Sequence, residues 1–195
     1  MTLLTQAVIF AAMKHDGALR KGTEIPYLVH PMEAAAIAAS LTGDEELIAA
    51  AVLHDVIEDC GVSARELEER FGARVARLVF AESQISQGDP KASWEARKSR
   101  AVERLRSATR EEKLIALCDK LSNMRAISRD YERYGEAVFF KFHQHDKRRH
   151  AWYYRSCLEL LRDEWEDTDA WQELRDLVLS VFPSQQEEIL SEKAV

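Results

Sequence analysis

Only seven glycines and four prolines punctuate the 195 residues, and the apolar side chains between them recur at intervals of three and four. That period is the helical one, and no stretch keeps the strict alternation of a half-buried strand beyond a few residues. The chain is therefore expected to be all-α. Its 46% of apolar residues suffices for one core of ordinary size. A single domain is expected over residues 1–182, followed by a polar tail over 183–195.

The same punctuation divides the helices. A first helix is predicted from about Leu3 to His15, and the loop after it contains Gly17, Gly22 and Pro26 and carries the basic pair Arg20 and Lys21. Pro31 opens the second helix at its first turn, where a missing amide costs nothing. Gly43 stops that helix, and Asp44 caps a third that is predicted to run through His54, Asp55, Glu58 and Asp59. Ser63 and Glu66 have the spacing of a capping box for a short helix ending near Gly72, and another continues from Ala73 to about Ala81. Residues 83–93, with Gly88, Asp89 and Pro90, read as a mobile loop. Beyond it come helices from Trp94 to about Leu105, Glu111 to about Tyr131, Lys147 to about Glu166 and Thr168 to Val181.

The third helix carries an energetic problem. In the run Ala-Ala-Ala-Val-Leu-His-Asp-Val-Ile-Glu-Asp, from Ala49 to Asp59, an imidazole and a carboxylate interrupt apolar sequence, and burying them without a partner is costly. A divalent metal is such a partner. His30 and Asp119 offer two further donors, and Asp119 follows the apolar run Leu114 to Cys118, which buries its helix. The plainer alternatives are a hydrogen-bonded His54–Asp55 pair and a surface ion pair between Asp119 and Lys120 or Arg125. Two imidazoles and two carboxylates make an open nitrogen–oxygen set, better suited to Mn²⁺ or Fe²⁺ than to a closed structural zinc. Glu58 and Asp59 are the natural groups to accept a proton or to orient a water beside it.

Four separated motifs then point to a family. His15-Asp-Gly-Ala-Leu-Arg-Lys-Gly-Thr-Glu-Ile-Pro-Tyr-Leu-Val-His30-Pro, Ala51-Val-Leu-His-Asp-Val-Ile-Glu-Asp59, Phe71-Gly and Asp119-Lys-Leu-Ser-Asn-Met-Arg125 occur in that order. Over about residues 3 to 130 the chain resembles the HD-domain hydrolases of the RelA/SpoT family, which remove the 3′-pyrophosphate of the alarmone (p)ppGpp. With no room for a synthetase or regulatory region, it is most similar to the stand-alone small alarmone hydrolases of the metazoan SpoT homologue type. The resemblance implies an HD-type helical bundle in which His30, His54, Asp55 and Asp119 bind Mn²⁺. It further implies that Glu58 and Asp59 serve the attacking water and scissile phosphate, that Asn123 positions the nucleotide, and that Arg20 and Lys21 lie against base and phosphates. Ser93-Trp-Glu-Ala-Arg-Lys-Ser is similar to the family's Arg-Lys helix, so Arg97 and Lys98 are expected to neutralise phosphate charge. The segment after Asn123, Met-Arg-Ala-Ile-Ser-Arg, departs from the family's base pocket. The departure keeps (p)ppApp and NADPH as alternative substrates of the same chemistry, and a non-catalytic alarmone sensor as a third reading.

Other features exclude classes of function. A formal charge of −7 argues against a nucleic-acid coat protein and leaves a small anionic substrate as the partner. Cys60, Cys118 and Cys157 are odd in number and widely spaced, without a CxxC, so reduced thiols in a cytoplasmic protein are expected. The N-terminus has no basic signal-peptide region, and no apolar stretch reaches the ~20 residues of a membrane span. The cluster His143, His145, Lys147, Arg148, Arg149 and His150 reads as a solvated basic face. Trp152, Tyr153 and Tyr154 read as a helix packed on the core, and Trp165 and Trp171 are candidates for sealing a subunit interface in a homodimer.

Overall fold

The hub of the fold is a helix made almost entirely of small and apolar residues, α3 (Glu45–Leu53). In this computed structural model, which describes residues 1–83 and 93–183, Ala49, Ala50, Ala51, Val52 and Leu53 are all wholly buried. Three consecutive alanines let neighbours approach from every side, and α1 (Leu3–Lys14), α2 (Val29–Leu41), α6 (Ala73–Glu82) and α8 (Arg110–Tyr134) do so. Asp44 caps α3 as expected, accepting from the amides of Glu46 at 3.0 Å and Leu47 at 3.4 Å. Among the described residues there is no strand. The one β-bridge, Leu19 with Pro26, pinches the loop that holds Arg20 and Lys21.

The expectation of one helix through Asp59 is corrected. α3 stops at Leu53 and α4 (Val56–Cys60) begins anew, leaving His54 and Asp55 in a two-residue break. Both keep right-handed dihedrals, φ −55° and ψ −33° at His54, φ −97° and ψ −6° at Asp55. The chain thus turns without a glycine or proline to announce it. Gly61 then ends α4 in the left-handed region at φ 66°, which a side chain would strain.

α8 is the second hub and the longest element, packing on α2, α3, α6, α7 (Trp94–Arg106), α9 (Lys147–Trp165) and α10 (Asp169–Val181). Its N-terminus carries a complete capping box: Thr109 accepts from the Glu112 amide, and Glu112 accepts from the Thr109 amide at 2.8 Å. Ahead of α5 (Ala64–Phe71) only half of the predicted box forms. Ser63 caps the Glu66 amide, while the Glu66 carboxylate faces Lys14 at 3.6 Å. Leu117 and Leu121 on α8 are fully buried, so truncating either to alanine costs about 2–5 kcal/mol.

Two further expectations change. Trp165 and Trp171 lie inside the chain's own core at 6% exposure each, and the Trp171 indole donates to the Leu158 carbonyl at 3.1 Å, so neither is available to a subunit interface. His150 is not part of a solvated face. The inner side of α9 carries it under Trp94, Phe139 and Phe142, with Nε2 against the Gln144 carbonyl at 2.8 Å, whereas His143 and His145 stay exposed. Most of the expected 83–93 loop and nearly all of the tail lie outside the described residues.

Candidate metal centre

Three helix segments bring His30, His54, Asp55 and Asp119 to one point. His30 comes from the first turn of α2, His54 and Asp55 from the break after α3, and Asp119 from the buried face of α8. His54 Nε2 lies 3.0 Å from Asp55 Oδ2 and 3.5 Å from Asp119 Oδ1. His30 Nε2 lies 3.4 Å and 3.1 Å from the same two oxygens. The two Nε2 atoms are 3.2 Å apart.

The hydrogen bonds behind the rings decide what these atoms are. The His54 Nδ1–H donates to the Ala51 carbonyl at 2.8 Å, which leaves a lone pair on Nε2. On His30, Nδ1 lies 2.8 Å from the Ser122 hydroxyl, and that hydroxyl's single proton is spent on Glu33 Oε2 at 2.6 Å. Ser122 must therefore accept from His30 Nδ1–H, and His30 too presents its Nε2 lone pair. Two imidazole nitrogens and two carboxylate oxygens thus face one another, and with each Nδ1–H already spent, what sits between them is a proton on Nε2 or a cation that replaces it. Donors about 2.1 Å from a common ion stand roughly 3.0–3.5 Å apart, and each imidazole nitrogen lies at that spacing from each carboxylate oxygen; His30, His54 and Asp55 form the compact trio, with Asp119 in reach of both rings. The set fits a divalent cation.

The electrostatics agree with the geometry. Burial opposes charge on His54, but Asp55 and Asp119 outweigh it and hold the imidazole's pKa well above its ordinary value. Burial likewise opposes charge on both carboxylates. The imidazoles nevertheless hold Asp55, and Lys120 with the imidazoles holds Asp119, well below the usual range. The point between them is a trap for positive charge. Asp119 is braced on both oxygens, by Lys120 Nζ at 2.5 Å on Oδ2 and by the Asn123 amide at 2.6 Å on Oδ1. The Tyr27 hydroxyl donates to Asp55 Oδ2 at 2.7 Å.

The donors open into a small cavity of about 150 Å³, lined also by Glu58, Asp59, Lys98, Lys120 and the edges of Tyr153 and Tyr154. Glu58 and Asp59 are exposed at its mouth. Poor hydration of the Asp59 carboxyl and the adjacent Asp55 charge hold its pKa above the ordinary carboxylate value. The Lys98 ammonium rides over the Tyr153 ring at 4.4 Å, whereas Arg97 does not line this cavity. Next door, a pocket of about 500 Å³ holds Arg20, Lys21 and Asn123 with the apolar side chains of Ile25, Val29 and Phe142. Arg20 donates to the Asn123 carbonyl oxygen at 2.7 Å and covers Tyr27, so Asn123 links the pocket to Asp119.

The sequence matches a known family. The profile of the HD domain covers residues 7–145, well over half of the chain. The chain belongs to the HD-domain family. This HD domain is 36% identical over 132 residues to a GTP pyrophosphokinase of Myxococcus xanthus, covering 65% of this chain and 17% of the relative. It is 36% identical over 127 residues to a guanosine-3′,5′-bis(diphosphate) 3′-pyrophosphohydrolase of Aquifex aeolicus, covering 64% and 18%. The chain thus spans less than a fifth of the length of these curated relatives. Its fold is similar to the solved structure of a metazoan orthologue of SpoT, described as hydrolysing ppGpp, with a TM-score of 0.74 at 24% identity over 91% of this chain and 94% of that one.

Of the site residues singled out from sequence, all but His54 and Arg97 line the two cavities, and His54 stands behind Asp55 at 3.0 Å. Sequence reasoning missed Tyr27, Lys120 and Ser122. Tyr27 stands in the turn ahead of α2, where its carbonyl accepts from the His30 amide at 3.0 Å, and Ser122 lies three residues after Asp119 and so shares its helical turn. Lys120 had been read only as a surface partner of Asp119, yet it is 5% exposed and also paired with Glu82 at 2.8 Å. Among the described residues no helix is long and apolar enough to cross a membrane.

Proposed function

We propose that this HD domain is a metal-dependent phosphohydrolase that removes the 3′-pyrophosphate of guanosine alarmones, releasing GDP or GTP and pyrophosphate, with Mn²⁺ as its cofactor. The observation that carries the reading is the set of four converging nitrogen and oxygen donors beside a cation-lined pocket of nucleotide size. The names of the Aquifex relative and of the metazoan SpoT orthologue support the choice of substrate.

When bound, the cation supplies Lewis acidity toward a phosphoryl oxygen and acidifies a water. The chain's own groups do the rest. Asp59, at the mouth of the small cavity, takes up the proton that the attacking water gives away, and Glu58 beside it orients that water. Lys98 and Lys120 offset the charge of the pyrophosphate as it leaves; burial opposes the charge on Lys120, but Asp119 and Glu82 outweigh it and keep the ammonium protonated. Arg20 and Asn123 fix the ribose end of the substrate against the metal centre, and Lys21 adds charge at the pocket's rim.

One observation favours a second substrate. Both carboxylates of the larger pocket are already engaged, Glu33 by Ser122 and Arg125 and Asp130 by Lys141, so no free carboxylate remains to accept from the N1–H edge of guanine. Adenosine alarmones or NADPH are the alternatives on the same chemistry. The deciding experiment is pyrophosphate release from ppGpp and ppApp, and orthophosphate release from NADPH, by the Mn²⁺-loaded protein with His54→Ala as control. Loss of ppGpp alone supports the reading, a preference for either other substrate moves it, and binding without turnover of any of them replaces it with a sensor.

A further inference from the structure

We propose that a groove lined by Arg129, Arg133 and Lys141 binds the 5′-phosphates of the nucleotide whose nucleoside fills the larger pocket. The proposal rests on reading that pocket as a nucleotide site. It assigns a role to two arginines that neither the motifs nor the metal centre explain.

Charge makes the first argument. In a chain of net charge −7, arginines are readily paired: Arg74, Arg77, Arg125, Arg149 and Arg162 each meet at least one carboxylate. Arg129 and Arg133 are exposed and form no ion pair among the described residues. They stand four residues apart on α8, so their side chains share one face. Two unpaired guanidiniums held side by side repel one another, and a bridging anion relieves that repulsion.

Position makes the second argument. Arg129 and Arg133 lie about 15 and 21 Å along α8 from Asp119 at 1.5 Å per residue, and helical side chains lean back toward the N-terminus, here toward the metal centre. The groove, about 450 Å³ in volume, shares Thr23, Ile25, Arg129, Asp130 and Lys141 with the nucleoside pocket. Its inner wall is the ion pair of Lys141 Nζ with Asp130 Oδ2 at 2.5 Å. Gly22 lets that wall stand so close, since a Cβ there would meet Lys141 Cβ at 3.0 Å and its φ is +71°. Asp130 consumes the charge of Lys141, and the two arginines are left to meet a phosphate beyond it.

The test is calorimetric titration of the full chain with GDP and with guanosine, for the wild type and for Arg129→Gln/Arg133→Gln. Both sites are solvent-exposed positions on a helix, and circular dichroism checks that the variant keeps its helices. The wild type is expected to bind GDP about tenfold more tightly than guanosine, the yield of two solvent-open charge contacts, with a margin that shrinks as salt is added. The double variant is expected to bind the two ligands alike. Equal affinities in the wild type, no binding of either ligand, or a GDP preference that survives in the variant would each overturn the proposal. A protein that prefers GDP through these arginines yet leaves ppGpp intact keeps the subsite and loses the catalytic reading, so the two failures are separable.

Discussion

Two clusters of acidic groups share the same pair of hub helices, and they differ in where their positive charge comes from. At the N-terminus of α3, Arg74 gathers Asp44 at 2.8 Å, Glu46 at 2.6 Å and Glu111 of α8 at 2.7 Å around one guanidinium. At the other end of α3, His54, Asp55, His30 and Asp119 converge at similar distances, but their shared point holds acceptor atoms only. The first cluster is complete as the chain provides it, half-exposed and satisfied. The second is buried, and its internal cation, Lys120, braces only the outer oxygen of Asp119. An acidic cluster with its own cation at the centre is structural, whereas one whose lone pairs have been aimed inward by Ser122 and Ala51 asks for an ion from outside.

The comparison breaks first if the inward-facing cluster binds nothing. His54→Ala removes one lone pair from the set and is expected to abolish Mn²⁺ binding by calorimetry and to lower turnover by about 10³-fold or more. Added Mn²⁺ should raise the melting temperature of the wild type and leave that of the variant in place, since only a ligand bound to the folded state shifts the transition. Equal thermal shifts in both proteins would mean that the ion sits elsewhere.

A second variant separates holding the ion from using it. Asp59→Asn should bind Mn²⁺ normally and lose about 10²–10³-fold in kcat, the usual contribution of a positioned proton acceptor. The sign of its pH dependence follows from its environment. Partial burial and the Asp55 charge raise the Asp59 pKa in the metal-free chain, and a cation on Asp55 offsets the second of these. Wild-type kcat/KM should fall on the acid side as Asp59 protonates, and that limb should vanish in Asp59→Asn. A limb that persists unchanged assigns the proton to another group.

A third variant tests whether the lone pairs are aimed. With Ser122→Ala the proton on His30 Nδ1 loses its acceptor, and Mn²⁺ affinity is expected to fall about 10–100-fold, the common cost of losing a partner behind a metal-binding imidazole. Nitrogen NMR of His30 should show a shift away from the Nδ1–H tautomer. Ser122→Thr keeps the hydroxyl and should restore affinity, which a merely structural defect would not allow.

These two clusters also show what sequence could and could not convey. Helix periods, Pro31 in a first turn and Asp44 as a cap are local facts, and apart from the far end of α3 the helices built from them appear within a few residues of their expected bounds. The four donors were legible because polar groups inside apolar runs are conspicuous. The break at His54 and Asp55 was not, since both residues keep nearly helical dihedrals and no glycine or proline marks the turn. Ser122 and Glu33 are 89 residues apart, and nothing local joins them, so the relay that sets the His30 tautomer emerges only when α2 and α8 pack. His150 failed for the opposite reason: its charged neighbours in sequence hid a ring that the inner face of α9 buries.

The smallest expected effect tests the other half of the comparison. Arg74→Met removes the central cation and leaves Asp44, Glu46 and Glu111 facing one another. The groups are about one-third exposed, so each pair contributes only ~0.2–1 kcal/mol, and the variant should lose about 1–2 kcal/mol at neutral pH by urea unfolding. Hydrogen bonds from Arg74 lower the pKa values of Asp44 and Glu111, so their stabilisation is fully present above the ordinary values of 3.8 and 4.5 and drains away as pH falls through the depressed folded values. Wild type and variant should accordingly converge in stability once the pH has fallen through those depressed values. Mn²⁺ affinity should not change in Arg74→Met, because the lone pairs at the far end of α3 are set by Ser122 and Ala51 and not by the cap. If affinity falls with stability, α3 transmits strain from Asp44 to His54, and the two clusters form one coupled unit.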